Sequence, residues 1–151
     1  MAIREDPTGG ALFRAAAGFD RYYQPAGKDL FLLAELQFDQ FGASGPDELI
    51  TVGVSDAFRR GDMQVLGRWT FATTASWQIH PLVGVDALTL VNPEDRSGLL
   101  APGISWSTTG NATTRAGFYV GVGEEAPSPI LLGSEYGSVP GLGYLSLSFF
   151  F

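Results

Sequence analysis

The chain has no cysteine, a single histidine and few charges. Without cysteine there can be no disulfide framework, no thiolate nucleophile and no zinc–thiolate site. Charged residues make up 17%, against about 25% in an ordinary soluble domain. There is no long apolar run. The longest, Leu30 to Ala34, falls far short of the ~18 residues that suggest a membrane-spanning helix. The first ten residues hold two acids and a proline but no apolar stretch, so they are not a secretory signal peptide. The net charge of −7 argues against a nucleic-acid partner.

What is present is glycine, 20 of 151 residues and about twice the usual ~7%, and a hydrophobic period of two. Residues 1–10 read as a polar arm, with Asp-Pro and Gly-Gly as breakers. From residue 11 onward the chain reads as one β-domain. Phe13, Ala15, Ala17 and Phe19 fall on one face of a first strand, and Arg14, Ala16, Gly18 and Asp20 on the other. Leu30, Leu32, Ala34, Leu36 and Phe38 oppose Phe31, Leu33, Glu35, Gln37 and Asp39 in a second. The cleanest alternation sets Trp69, Phe71, Thr73, Ala75, Trp77 and Ile79 against Arg68, Thr70, Ala72, Thr74, Ser76 and Gln78. Three further strands are expected near 83–91, 100–107 and 115–123, and Pro102 predicts a bulge or an unpaired position. Inward glycines in the last of these predict room for a large neighbour or a sharply curved wall. Short turns alternate with longer connections, among them 42–67 and 124–139. Within 42–67, residues 50–54 alternate enough to be strand-like.

The last twelve residues, Pro140 to Phe151, alternate again, with Leu145, Leu147, Phe149 and Phe151 in one apolar row. A strand ending in Phe, with apolar side chains two, four and six places before it, resembles the closing strand of bacterial outer-membrane β-barrels. The loop-length asymmetry fits that family. The resemblance covers about residues 11–151 and rests on pattern rather than on an identifying motif. It implies an antiparallel up-and-down transmembrane β-barrel, all-β and porin-like, in the cell envelope of a Gram-negative bacterium. It implies outer-membrane lipid and lipopolysaccharide as surroundings. It also makes the row Leu145, Leu147, Phe149 and Phe151 a signal for the barrel-assembly machinery. Single-chain barrels usually have an even strand number, whereas the period yields seven. This chain is therefore expected to be the C-terminal portion of a larger barrel, or to complete itself by self-association.

The polar rows carry the candidate site. Arg14, Asp20, Glu35, Gln37, Asp39, Arg68, Asp86 and Arg115 all fall on the inner face and are expected either to line a lumen or to pair across it. His80, in a turn beside Pro81, is the one residue a Ser–His–Asp arrangement could use, and it lies away from the long connections. No constellation for catalysis, metal or cofactor stands out, so a non-enzymatic pore, transport wall or structural barrel is expected. The loop acids Asp47, Glu48, Glu94, Asp95, Glu124, Glu125 and Glu135 suit cation bridging or plain solvation. The rival reading is a soluble all-β binding or structural domain, a lipocalin-like barrel or sandwich. In it the Trp69/Phe71/Trp77 face is the core.

Overall fold

The computed structural model describes residues 2–5, 11–128 and 131–150. It is an antiparallel meander of eight strands in sequence order. These are β1 (Ala2–Glu5), β2 (Ala11–Tyr23), β3 (Leu30–Asp39), β4 (Trp69–His80), β5 (Val83–Asn92), β6 (Ser97–Thr109), β7 (Ala112–Val122) and β8 (Leu142–Phe149). Helices α1 (Pro46–Gly53) and α2 (Asp56–Arg59) lie between β3 and β4. Each of the seven segments with a two-residue period forms a strand. The eighth comes from residues 2–5, which pair with 11–14 rather than staying in a polar arm. Residues 6–10 and Phe151 lie outside the described residues. No pairing joins β1 to β8 among the described residues, so the sheet is open.

The register decides which side chains share a face, because directly paired residues point the same way. Phe38 pairs with Trp69, Leu36 with Phe71 and Leu30 with Trp77. Trp77 pairs with Val85, Val85 with Ile104, Ile104 with Ala116, and Ala116 with Leu145. The apolar rows of seven strands thus merge into one continuous apolar face. No second layer covers it among the described residues. Trp69, Phe71 and Trp77 are 37%, 41% and 37% exposed, and Leu145 is 77% exposed.

Burial instead concentrates at the end of the sheet that carries the long connections. Ala43, Leu49, Met63 and Tyr136 are buried there, with the polar Asp39, Thr70, Asn92, Ser97 and Ser134. The strand-like reading of 50–54 is overturned, since α1 takes in 50–53 and Val54 is its C-cap. Local chemistry explains the helix: Pro46 occupies its first turn, where no N–H is needed, and Asp47 and Glu48 sit at its positive end. α2 follows at once, capped by Ser55, whose Oγ accepts from the Phe58 N–H at 3.2 Å.

Pro102 leaves a gap in the ladder. The β6–β7 pairing runs from Leu100↔Val120 to Gly103↔Gly117 without a shift, so the proline makes an unpaired position and not a bulge. The irregular positions lie at strand ends, between Gln78 and His80 and between Ser107 and Thr109.

Glycines on the polar face of β7 do admit large neighbours. A Cβ at Gly117 would come within 2.7 Å of the Tyr144 hydroxyl and 2.8 Å of the Pro102 carbonyl oxygen. A Cβ at Gly121 would overlap the Tyr136 carbonyl oxygen. Gly121→Ala is therefore expected to destabilise the fold by about 1–3 kcal/mol in urea unfolding. Gly141→Ala, which meets only an ordinary 3.9 Å contact, is expected to shift it by less than about 0.5 kcal/mol. Equal effects would contradict the close approach at Gly121.

Candidate functional site: the polar face and its two inserts

All eight residues assigned to the inner face belong to one face of the sheet, opposite the apolar rows. Arg14 pairs with Asp39, Asp20 with Leu33, Glu35 with Ala72 and Gln37 with Thr70. Asp86 pairs with Gly103, and Arg115 with Ser105. Arg68 precedes β4, and its carbonyl accepts from the Asp39 N–H at 2.9 Å. The residues do not form a ring of ion pairs. The one pair among the eight, of the described residues, joins neighbouring strands: Arg14 grips Asp39 through Nε at 2.8 Å and through Nη2. Arg14 Nη1 also reaches the Asp62 carbonyl oxygen at 2.6 Å. Gln37 donates its side-chain amide to Glu35. Asp86 and Arg115 stay exposed and make no ion pair among the described residues.

Two inserts fold onto this polar face. The first, residues 42–67, is closed at its base by Ala43 N to Leu66 O at 2.7 Å and Arg68 N to Ala43 O at 2.9 Å. Its returning limb, 61–67, lies over Arg14, Gln37, Asp39 and Thr70, and a cavity of about 360 Å³ remains between them. The second insert, around 133–139, lies over the upper ends of β5, β6 and β7.

One carboxylate ties both inserts to the wall. Glu135 Oε1 accepts from the Leu66 N–H at 2.7 Å, and Oε2 from the Gly67 N–H at 3.1 Å and Asn92 Nδ2 at 2.9 Å. The Glu135 N–H in turn donates to Asp95 Oδ2 at 2.6 Å. Asp95 Oδ1 takes the Ser97 N–H and hydroxyl, and Ser97 Oγ accepts from the Tyr136 N–H at 3.3 Å. Asp95 and Glu135 thus serve backbone N–H groups. Among the described residues no cluster of three or more His, Cys, Asp or Glu side chains could hold a metal ion. Burial, followed by the neighbouring carboxylates, pushes the Tyr136 phenol well above its usual range, so it stays protonated. His80 sits at the opposite end, where its Nδ1 accepts from the Leu82 N–H at 3.2 Å. It touches none of these groups.

Glu135 was no more prominent in the sequence than its fellow loop acids. Its partners lie 43 to 69 residues away, and two of them are backbone N–H groups that any residue supplies. Comparison with protein-family models, curated proteins and solved structures finds no significant match.

Glu135→Ala is expected to cost at least about 2 kcal/mol in urea unfolding, because it strands buried donors that now share a charged acceptor. Amide exchange at Leu66 and Gly67 should accelerate with it. Unchanged exchange would contradict the tie between the inserts. A second expectation concerns Glu48, whose carboxyl is held below 4.5, first by the Ser44 N–H and then by the Ser44 hydroxyl. Its stabilising effect is present above pH 4.5 and is lost as pH falls through the lower folded value. Ser44→Ala removes only the hydroxyl. It should raise the Glu48 pKa part of the way back, as read by NMR titration, and an unmoved titration would contradict the assignment.

Proposed function

We propose that this chain forms part of the wall of an outer-membrane β-barrel, with lipid against its apolar face and a polar path along the other. The observation that carries the reading is the segregation of the two faces: aromatic and aliphatic side chains share a face that nothing covers among the described residues, while the charged groups share the other face with the two inserts. The apolar face spans seven strands. At ~4.8 Å per strand and ~3.3 Å per residue it measures roughly 34 Å by 26 Å, about 900 Å². That exceeds the ~300–600 Å² of the largest apolar patch on a typical soluble monomer. Most of its aromatics lie towards the two ends, with Phe19 and Phe118 between them. Tyr23, Trp77, Trp106 and Phe149 lie near the short turns, and Phe13, Phe38, Trp69 and Phe71 near the inserts. Paired belts of this kind suit the two membrane–water boundaries. Trp69 and Trp77 are separated by about 26 Å along the strand, or about 20 Å normal to the membrane at the ~40° tilt of such barrels. That is close to their ~25 Å apolar band. Arg21 reaches over the Tyr23 ring at 5.3 Å, a place where a cation can meet water at the boundary.

Closure needs more than these eight strands. An eight-stranded barrel has an interior filled by side chains alone, whereas here two inserts occupy the polar face. Further strands, from a second copy or from a longer polypeptide, complete the ring. An even strand number leaves β1 and β8 antiparallel, so either source can add to both edges with the apolar face still outward. The wall then conducts or supports transport with little charge preference, since acids and arginines on its polar face nearly balance.

Urea-unfolded chain diluted into detergent micelles is expected to give a β-type circular dichroism spectrum with cooperative melting, and to give stepwise conductance in planar bilayers. In plain buffer it is expected to aggregate. A monodisperse monomer that folds equally well in buffer would overturn the reading and make the apolar face the core or interface of a soluble domain.

A further inference from the structure

The polar face is covered at one end and open at the other. Asp39, Thr70, Asn92 and Ser97, one on each strand from β3 to β6, stand at the insert end and are buried. Ser76, Asp86, Arg115 and Ser146 lie on the same face nearer the short turns, and all four are exposed. Two segments make the cover: the returning limb 61–67 of the first insert and residues 133–139 of the second. They meet at the Glu135 carboxylate, which accepts from the Leu66 and Gly67 N–H groups and from Asn92 Nδ2 on the wall. The fit there is tight. A Cβ at Gly67 would lie 2.3 Å from Asn92 Nδ2 and 3.0 Å from Glu135 Oε2, so a side chain would prop the segments apart. Away from this point each segment keeps its own hold on the wall. Arg14 Nη1 donates to the Asp62 carbonyl oxygen at 2.6 Å, and the Tyr136 N–H donates to Ser97 Oγ at 3.3 Å. Loss of the carboxylate therefore frees the Leu66–Gly67 end of the limb without detaching either insert.

We propose that the two inserts act as one cover that closes the insert end of the polar path, and that Glu135 is the latch that keeps it shut. The path rests on the wall reading. The cover and its latch do not, because every bond that makes them lies within this chain.

The chain has no cysteine, so a single introduced thiol can report on either part of β4. Thr70→Cys places it under the limb, and Ser76→Cys places it on the open part of the same face. The folded chain, in micelles or in buffer, is treated with a water-soluble methanethiosulfonate reagent. The thiol at position 70 is expected to react at least about a hundredfold more slowly than that at 76, because labelling waits for local opening. Glu135→Gln turns an amide NH2 towards donors that a carboxylate oxygen had answered. It should speed labelling at 70 about tenfold or more and leave labelling at 76 unchanged. Adding Asn92→Asp gives that amide a carboxylate to donate to and should restore part of the protection, which general destabilisation would not do. In planar bilayers Glu135→Gln should conduct in larger steps than the parent. If Glu135→Gln does not fold, Gly67→Ala, which wedges the same seam, should speed labelling at 70 in its place. Equal labelling at 70 and 76 in the parent would overturn the cover. A folded variant that labels at 70 as slowly as the parent would overturn the latch. Fast labelling with unchanged conductance steps would overturn the closure of the path. Fast labelling with no conductance from any chain would overturn the wall and leave the latch standing.

Discussion

A pleated strand sends alternate side chains to opposite faces, and a slip of one residue in register would reverse them all. In this chain the alternation of seven strands is in phase through every ladder. Phe38, Trp69 and Phe71 meet on one side while Arg14, Asp39 and Gln37 meet on the other. Everything else depends on that phase. It leaves the aromatics without a covering layer among the described residues, and it assembles the polar groups into one surface onto which the two inserts can fold.

Where the inserts meet that surface, hydrogen bonding and not hydrophobic burial supplies most of the specificity. Among the described residues the largest fully buried side chains are Leu49, Asn92, Ser97 and Ser134, three of them polar. Glu135 answers the N–H groups of Leu66 and Gly67 and the amide of Asn92, so a strand, the returning limb of one insert and the body of the other share a single carboxylate. Bonds to a charged acceptor are worth about 1.5–3 kcal/mol each. Such a node holds the inserts against the wall as fixed parts of the polar surface. The cavity beneath the first insert exists because that insert is held in place.

How much of this could be read in the sequence follows from how local each cause is. The strands from β2 to β8 were legible because alternation over eight or more residues is a strong signal, and parity alone placed Arg14, Asp20, Glu35, Gln37, Asp39, Arg68, Asp86 and Arg115 on one face. β1 was not legible: four residues with Arg4 and Glu5 among them are too short to show a period. Ile50 to Val54 imitated a strand by chance. The helix signals lay beside it, in Gly45-Pro46 followed by two acids and in Ser55. The Glu135 node was out of reach because it is made of long-range contacts to backbone donors. The Arg14–Asp39 pair was half legible: parity put both residues on one face, and only the register made them neighbours.

The central claim is that the outward face is the apolar one and that it meets lipid. Because the chain has no cysteine, single cysteines can be introduced at each position from 71 to 77 of β4 and spin-labelled after reconstitution in bilayers. Collision with oxygen, which concentrates in lipid, and with a water-soluble nickel chelate then reads each position's surroundings. A two-residue oscillation is expected, with labels at 71, 73, 75 and 77 favouring oxygen and those at 72, 74 and 76 favouring the chelate. A flat profile, or an oscillation of the opposite phase, would contradict the account.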